Sequence, residues 1–230
     1  MSIAPTRMIE RSKRRHPAAE REACVVEVHE HSPPTLFHSG ETFRLERLPV
    51  GSRIVYPPPP LKGLIDVDAA IAAALDSPLG MDPLDSLLSP GMKLTIAFDD
   101  VSLPLPPMKV PDIRGRVIEH VLERAYRAGV EDIHLIAALA LHRRMTPAEL
   151  KHALGRRIFE EFYPDRLYNH DAEDPDGIVS LGETRHGEMV ELSKRAAESD
   201  LLVYVNINLV AMDGGHKSTA TGLALSLIHI

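Results

Sequence analysis

From Lys93 onward, apolar runs of strand length alternate with segments of helical period, and few folds accommodate that order. Residues 94–98 form one such run and 133–140 a second. A run with no polar face belongs to a strand covered on both sides, as in a parallel sheet sandwiched by helices. Between the two runs, Ile113, Val117, Val121, Leu122 and Ala125 share one face of a predicted helix over 112–128. Asp112 caps it and Gly129 stops it. Thr146, Pro147 and Glu149 spell a capping box with proline at the first helical position, so a further helix starts there and runs to about Gly155. Short strands are expected at 178–183 and 189–192, a helix at 193–199, and a third buried strand over 201–210. The pattern predicts an α/β fold: a Rossmann-like open, mostly parallel sheet with helices on both faces.

The upstream third is less regular. Residues 1–40 are rich in proline, histidine and charge without periodicity and read as a flexible tail. Residues 43–48 and 53–56 alternate as strands do, 57–60 form a stiff proline spacer, and 67–75 a short alanine-rich helix leading into a loop around Asp82 and Pro83. A net charge of −7 gives no electrostatic footprint for nucleic acid. The basic stretch at 11–15 sits among Glu10, Glu20 and Glu22 and reads as solvated tail. One cysteine, Cys24, excludes an internal disulfide and suits a reducing compartment. With no signal-peptide core and no apolar run of bilayer length, the expectation is a cytoplasmic protein without a membrane partner. His29 and His31 have i, i+2 spacing and no third ligand, so they read as surface residues, not a metal patch. Residues 225–230 end the sequence inside an apolar segment and look like a translated sequencing-library adapter. They are expected to be non-native, His229 is given no functional weight, and the natural gene is expected to continue.

The chemically capable residues gather where strands end. Asp99 and Asp100 follow the first run, and His142 follows the second, just ahead of the capped helix. Lys217 follows the third, in a glycine-rich turn with Gly214, Gly215, His216 and Ser218. Open α/β sheets bind ligands beyond the carboxyl ends of their strands, so these groups are expected to share one crevice. A phosphate-cradling P-loop needs glycine immediately before the lysine, and His216 stands there, so Lys217 has another task. His142 reads as a candidate general base, while His170 and Asp171 read as a surface turn.

Three segments in this order resemble the N-terminal domain of the nickel-pincer-dependent lactate racemase family: 100–106, from Asp100 through Pro106; 141–150, from Leu141 through Leu150; and 214–218, from Gly214 through Ser218. The likeness runs from about Phe43 to Ala224, which sets a racemase-like domain at 41–224, the N-terminal domain of a two-domain protein, between the tail at 1–40 and the hexapeptide at 225–230. The resemblance implies a racemase or epimerase acting on a small 2-hydroxy acid. It implies nickel pyridinium-3,5-bisthiocarboxylate mononucleotide, the nickel-pincer nucleotide, held covalently on Lys217 through a thioamide. Asp100, Ser102 and Gly215 are the implied cofactor contacts and His142 the implied acid/base, with cofactor-biosynthesis enzymes as partners. The implied nickel-binding histidine falls beyond Lys217, so the metal ligand is unassigned and residues 1–230 alone are expected to be an inactive fragment.

Two departures bear on the substrate. Leu103 stands where the family's lactate racemases carry an arginine, and a leucine cannot donate a paired hydrogen bond to a carboxylate. Ile207 and Asn208 stand where a second acid/base histidine is expected, and asparagine cannot shuttle a proton. These changes argue against lactate and for a longer hydroxy acid. They also keep open an inactive paralogue that binds a small anionic ligand or a protein partner. A phosphotransferase is the weakest reading, because His216 breaks the P-loop pattern.

Overall fold

The computed structural model describes residues 24–57, 62–102, 108–208 and 215–224. The expected spacer at 57–60 thus lies largely outside the described residues, as do Leu103 and 225–230. The chain divides into two compact units, residues 1–63 and 64–230.

The first unit is built of two antiparallel strand pairs. β1 (Val25–Glu27) pairs with β4 (Arg53–Val55), and β2 (Thr35–Ser39) with β3 (Thr42–Glu46). Two of these strands fall inside the segment read as a tail, which corrects that expectation for residues 24–40; residues 1–23 lie outside the described ones. The reason is local. Gly40 adopts φ 59° at the first of two loop positions between Ser39 and Thr42, where a tight hairpin turn calls for glycine.

The second unit opens with α1 (Val67–Asp76), capped by the Asp66 carboxylate on the Ala69 amide at 2.9 Å, and α2 (Leu84–Leu87). There follow β5 (Lys93–Asp99), α3 (Ile113–Arg127), β6 (Asp132–Ala138), α4 (Pro147–Leu154), α5 (Arg156–Phe162) and β7 (Leu167–Asn169). A bulged antiparallel hairpin, β8 (Ile178–Glu183) and β9 (Met189–Ser193), leads into α6 (Lys194–Ala197), β10 (Leu201–Val205) and α7 (Gly215–Gly222). The four strands β10–β5–β6–β7 pair in that order, all parallel, giving the expected α/β class.

The sheet is covered on both faces. Leu94, Ile96 and Phe98 of β5 and Leu135 of β6 pack with Ile118, Val121 and Leu122 of α3 and with Leu150, Leu154, Ile158 and Phe162 of α4 and α5. Ala97, Ile136 and Ala138 face the other way, onto Ala196 of α6 and Leu223 just past α7. The capping box forms as read: Thr146 caps Glu149 and the Glu149 carboxylate returns to the Thr146 amide at 2.8 Å. Asp112 caps α3, and Gly129 follows it at φ 76°. The strand expected over 201–210 stops at Val205, and the three-residue β7 and the seven-residue α5 have no counterpart in the sequence reading.

Helix α3 lies close to α4 at Gly115, where an added Cβ would sit 2.7 Å from the Ala153 carbonyl oxygen and from the Pro111 Cβ. Those obstacles are backbone and a rigid ring, so overpacking outweighs the helix propensity that alanine adds. Gly115→Ala is expected to lower stability by about 1–3 kcal/mol. Urea unfolding checks this, and a midpoint equal to or above the parent's would refute it.

Candidate functional site

Strand β5 ends by presenting Asp100, which is only 4% exposed. One carboxylate oxygen accepts from the Ser102 hydroxyl at 2.6 Å and its amide at 3.2 Å; the other lies 3.0 Å from Nδ1 of His142. An ionised aspartate only accepts, so the shared hydrogen sits on Nδ1 and Nε2 is left to meet a ligand. The imidazole is 55% exposed, so it is held from one side and open on the other.

Several bonds fix the loop that carries His142. Its amide donates to the Leu139 carbonyl at 2.8 Å, closing a turn in which Ala140 takes φ 51°, alone among the described non-glycine residues in the left-handed region. Such strain of order 1 kcal/mol persists only where the surroundings enforce it. Here Ala140 donates to the Gly222 carbonyl at 3.0 Å. Further on, the Asn169 amide group exchanges two 2.9 Å bonds with the Met145 backbone, tying the loop to the end of β7. Arg143 forks onto Glu149, and Arg144 pairs with Asp171.

Asp99, singled out in the sequence only as a neighbour of Asp100, has a separate task. Its carboxylate accepts twice from the Asn206 side chain, at 3.0 and 2.8 Å, and from the Ile207 amide at 2.6 Å. This ties the exit of β10 to the exit of β5. Burial and the nearby Asp99 carboxylate push the Tyr204 phenol well above its ordinary range.

Lys217 is exposed on the first turn of α7, whereas the sequence suggested a loop; neighbouring Ser218 is buried. The helix is anchored at its far end. Gly222 receives the Ala140 bond, and a Cβ there would meet the Tyr204 hydroxyl at 2.6 Å and the Ala138 Cβ at 3.0 Å. The lysine therefore stands ~7.5 Å along the helix axis from the residue bonded to the His142 turn. Asp100, Ser102 and His142 are brought together, and the helix bearing Gly215 and Lys217 is fastened to the same strand exit.

His170 is not in a surface turn. It lies 4% exposed just past β7, its amide bonded to Ala137 and its ring to the Ala224 backbone. Burial lowers its pKa, and Nε2 has no partner among the described residues. Pairing of β7 with β6 draws it inward, which three residues of strand are too short to announce. Among the described residues no three His, Cys, Asp or Glu side chains are grouped as a metal site, and no helix is long and apolar enough to cross a membrane. A recess of about 710 Å³ lies by the start of α3 and the α4–α5 junction, lined in part by Asp68, Arg116, His120 and Arg157. Arg116 and His120 pair with Asp68, and Arg157 pairs with Glu119. None of the site residues lines it.

The family model of the lactate racemase N-terminal domain matches residues 44–227. A lactate racemase of Lactiplantibacillus plantarum is 28% identical over 160 residues, 67% of this chain and 35% of the relative. One from Thermoanaerobacterium thermosaccharolyticum is 25% identical over 158 residues, again 67% and 35%. The chain thus spans about a third of the length of these curated relatives. In fold it is similar to the lactate racemase apoprotein from T. thermosaccharolyticum, with a TM-score of 0.57 at 23% identity over 76% of this chain and 42% of that one. A Thermotoga maritima protein aligns with a TM-score of 0.51 at 16% identity, over 72% and 40%.

The loop carrying His142 is bonded through Arg143 and Thr146 to a carboxylate, Glu149, whose pKa is lowered. Hydrogen bonds from Arg143 and then from the Thr146 amide hold the Glu149 carboxyl down at about 2, from an ordinary 4.5. A depressed carboxyl contributes stability that is present above its unfolded value and lost as pH falls through the folded one. Stability should therefore decline between pH 4.5 and 2. Glu149 is partly solvated, so its share is small. Glu149→Gln is expected to flatten this limb in urea titrations across that range; an unchanged slope would place the dependence on other carboxyls.

Proposed function

Since this chain belongs to the lactate racemase N-terminal domain family, we propose that it forms the cofactor-tethering, proton-handling part of a racemase or epimerase of small 2-hydroxy acids. The observation that carries this reading is the 3.0 Å contact of His142 Nδ1 with buried Asp100, across the exits of two neighbouring parallel strands. It leaves Nε2 as a base oriented from behind, and a base needs that orientation before its pKa matters.

The proposed cofactor is the nickel-pincer nucleotide, and the residues present fit it. Lys217 offers an exposed primary amine for a covalent tether, and Asp100 and Ser102 offer fixed oxygen groups at the strand exit. The described residues thus supply an anchor for an organic group that carries its own metal, rather than a cage for a bare ion. When bound, that group supplies the acceptor and donor of the substrate's hydride. The protein's part is proton transfer and orientation. His142 Nε2 takes the hydroxyl proton of the 2-hydroxy acid and returns it. Asp100 keeps Nδ1 protonated and stabilises the imidazolium while the proton is held, and Ser102 holds Asp100. Gly215, which opens α7, lets the backbone come close to the tethered nucleotide.

The substrate proposed is a hydroxy acid longer than lactate. Leu103 lacks a cationic fork for a lone carboxylate, and Ile207 and Asn208 provide no second proton shuttle. Enzymes that build the cofactor are the proposed partners.

Intact mass tests the tether. The chain co-expressed with cofactor-making enzymes should carry an added mass mapping to Lys217 and absent from Lys217→Ala. An unmodified Lys217 in fully loaded preparations would leave a ligand-binding paralogue as the reading. In an active enzyme carrying these residues, His142→Ala should cut racemisation by ~10²–10⁴-fold across a panel of chiral 2-hydroxy acids, with the tethered mass retained. Activity within a few-fold of the parent would remove His142 from proton transfer.

A further inference from the structure

We infer that Arg114 is the positioning residue that aims Asp100 at His142, an inference that rests on the role proposed above for that pair. One nitrogen of its guanidinium, Nη1, donates to two successive carbonyl oxygens, that of Asp99 at 2.6 Å and that of Asp100 at 2.9 Å. In an extended strand, successive carbonyls point to opposite edges. Both reach one nitrogen only because the chain leaves the pleat between them. That departure, at the last residue of β5, swings the Asp100 side chain toward the exit of β6 and His142.

The guanidinium is itself immobilised. Nε lies 3.2 and 3.1 Å from the two oxygens of Asp112, and Nη2 donates to Asp112 as well. Asp112 is held in turn, since it accepts from the Arg114 amide at 2.8 Å and its own amide donates to Ala153 at 3.1 Å. Both side chains are at most 6% exposed. A planar fork with donors on two sides bridges a carboxylate and a pair of carbonyls at once; an ammonium is a point charge and cannot. Neither residue is within hydrogen-bond reach of His142 in the bonds described, so Arg114 acts on the imidazole only through the Asp99–Asp100 backbone.

The readout is the tautomer of His142, followed by ¹⁵N NMR of the histidine-labelled chain above the imidazole titration range. The parent should show mainly the Nδ1–H form imposed by Asp100. In Arg114→Lys that form should fall from majority to minority, giving way to the Nε2–H form that an unconstrained imidazole favours. Leu122→Ala, a fully buried core truncation on the same helix, should keep the Nδ1–H form while losing stability. If Arg114→Lys does not fold, Asp112→Asn, which loosens the guanidinium from behind, should show the same shift. Retention of Nδ1–H in the folded variant overturns the inference, and so does an equal loss in Leu122→Ala. Unfolding of both clamp variants where Leu122→Ala stays folded also counts against it, because a positioning role leaves the fold standing. No cofactor or substrate enters the measurement, so failure here is separable from failure of the racemase reading.

Discussion

Strand β5 has no wet face: residues 94–99 are all buried. A strand at the centre of a parallel sheet must therefore be covered by helices on both sides, and its polar groups must be satisfied locally or moved to its ends. The one buried hydroxyl along it, on Thr95, meets Ser199 at 2.6 Å and the Arg195 guanidinium at 3.0 Å. The same guanidinium bonds the Leu94 and Asp132 carbonyls, locking β5 to β6 near their starts. The buried carboxylates Asp99 and Asp100 lie at the exit instead, where β10, β5 and β6 are neighbours in the sheet.

That displacement concentrates charge. Asp99, Asp100 and Asp112 are each no more than 7% exposed, and Arg114 lies among them. Stripping one partner from a buried pair typically costs about 3–5 kcal/mol, so such groups persist only when each is fully bonded. Here every carboxylate has named donors: Asn206 and Ile207 for Asp99, Ser102 and His142 for Asp100, Arg114 for Asp112. The bonds run between different strand exits, so satisfying the charges also fixes the loops. The His142 imidazole is 55% exposed while the side chain of its partner Asp100 is 5% exposed, so the pair joins a buried carboxylate to an accessible ring.

Much of this was legible in the sequence, and the boundary is physical. Long apolar runs and side-chain caps are short-range signals, so β5, β6, α3 with its Asp112 cap and α4 with its capping box follow from residue order alone. What escaped depends on partners distant in the chain. Three residues of β7 carry no period of their own, and only pairing with β6 buries His170. The strand at 201 stops at Val205 because Asn206 turns its side chain to Asp99, 107 residues earlier. Asp99 and Arg114 carry no motif at all; their meaning lies in which backbone atoms they reach. The hairpin at Gly40 is the exception, since a glycine in a two-residue turn was readable and the surrounding polar composition masked it.

The two halves of the proposed site are mounted differently, and the difference suits their tasks. Asp100 is fixed by a buried guanidinium behind it and His142 by a strained turn bonded to Gly222, a mounting that suits the proposed proton acceptor, which must be aimed before it reacts. Lys217 stands exposed on the first turn of an eight-residue helix whose far end is bonded at Gly222 and, just past it, Leu223. That access suits the proposed role, in which the amine reacts with a cofactor delivered from solution. The close approach at Gly222 joins both requirements. With no side chain there, the helix end seats against Tyr204 and Ala138 and accepts from Ala140, so the helix that carries Lys217 also holds the turn that carries His142.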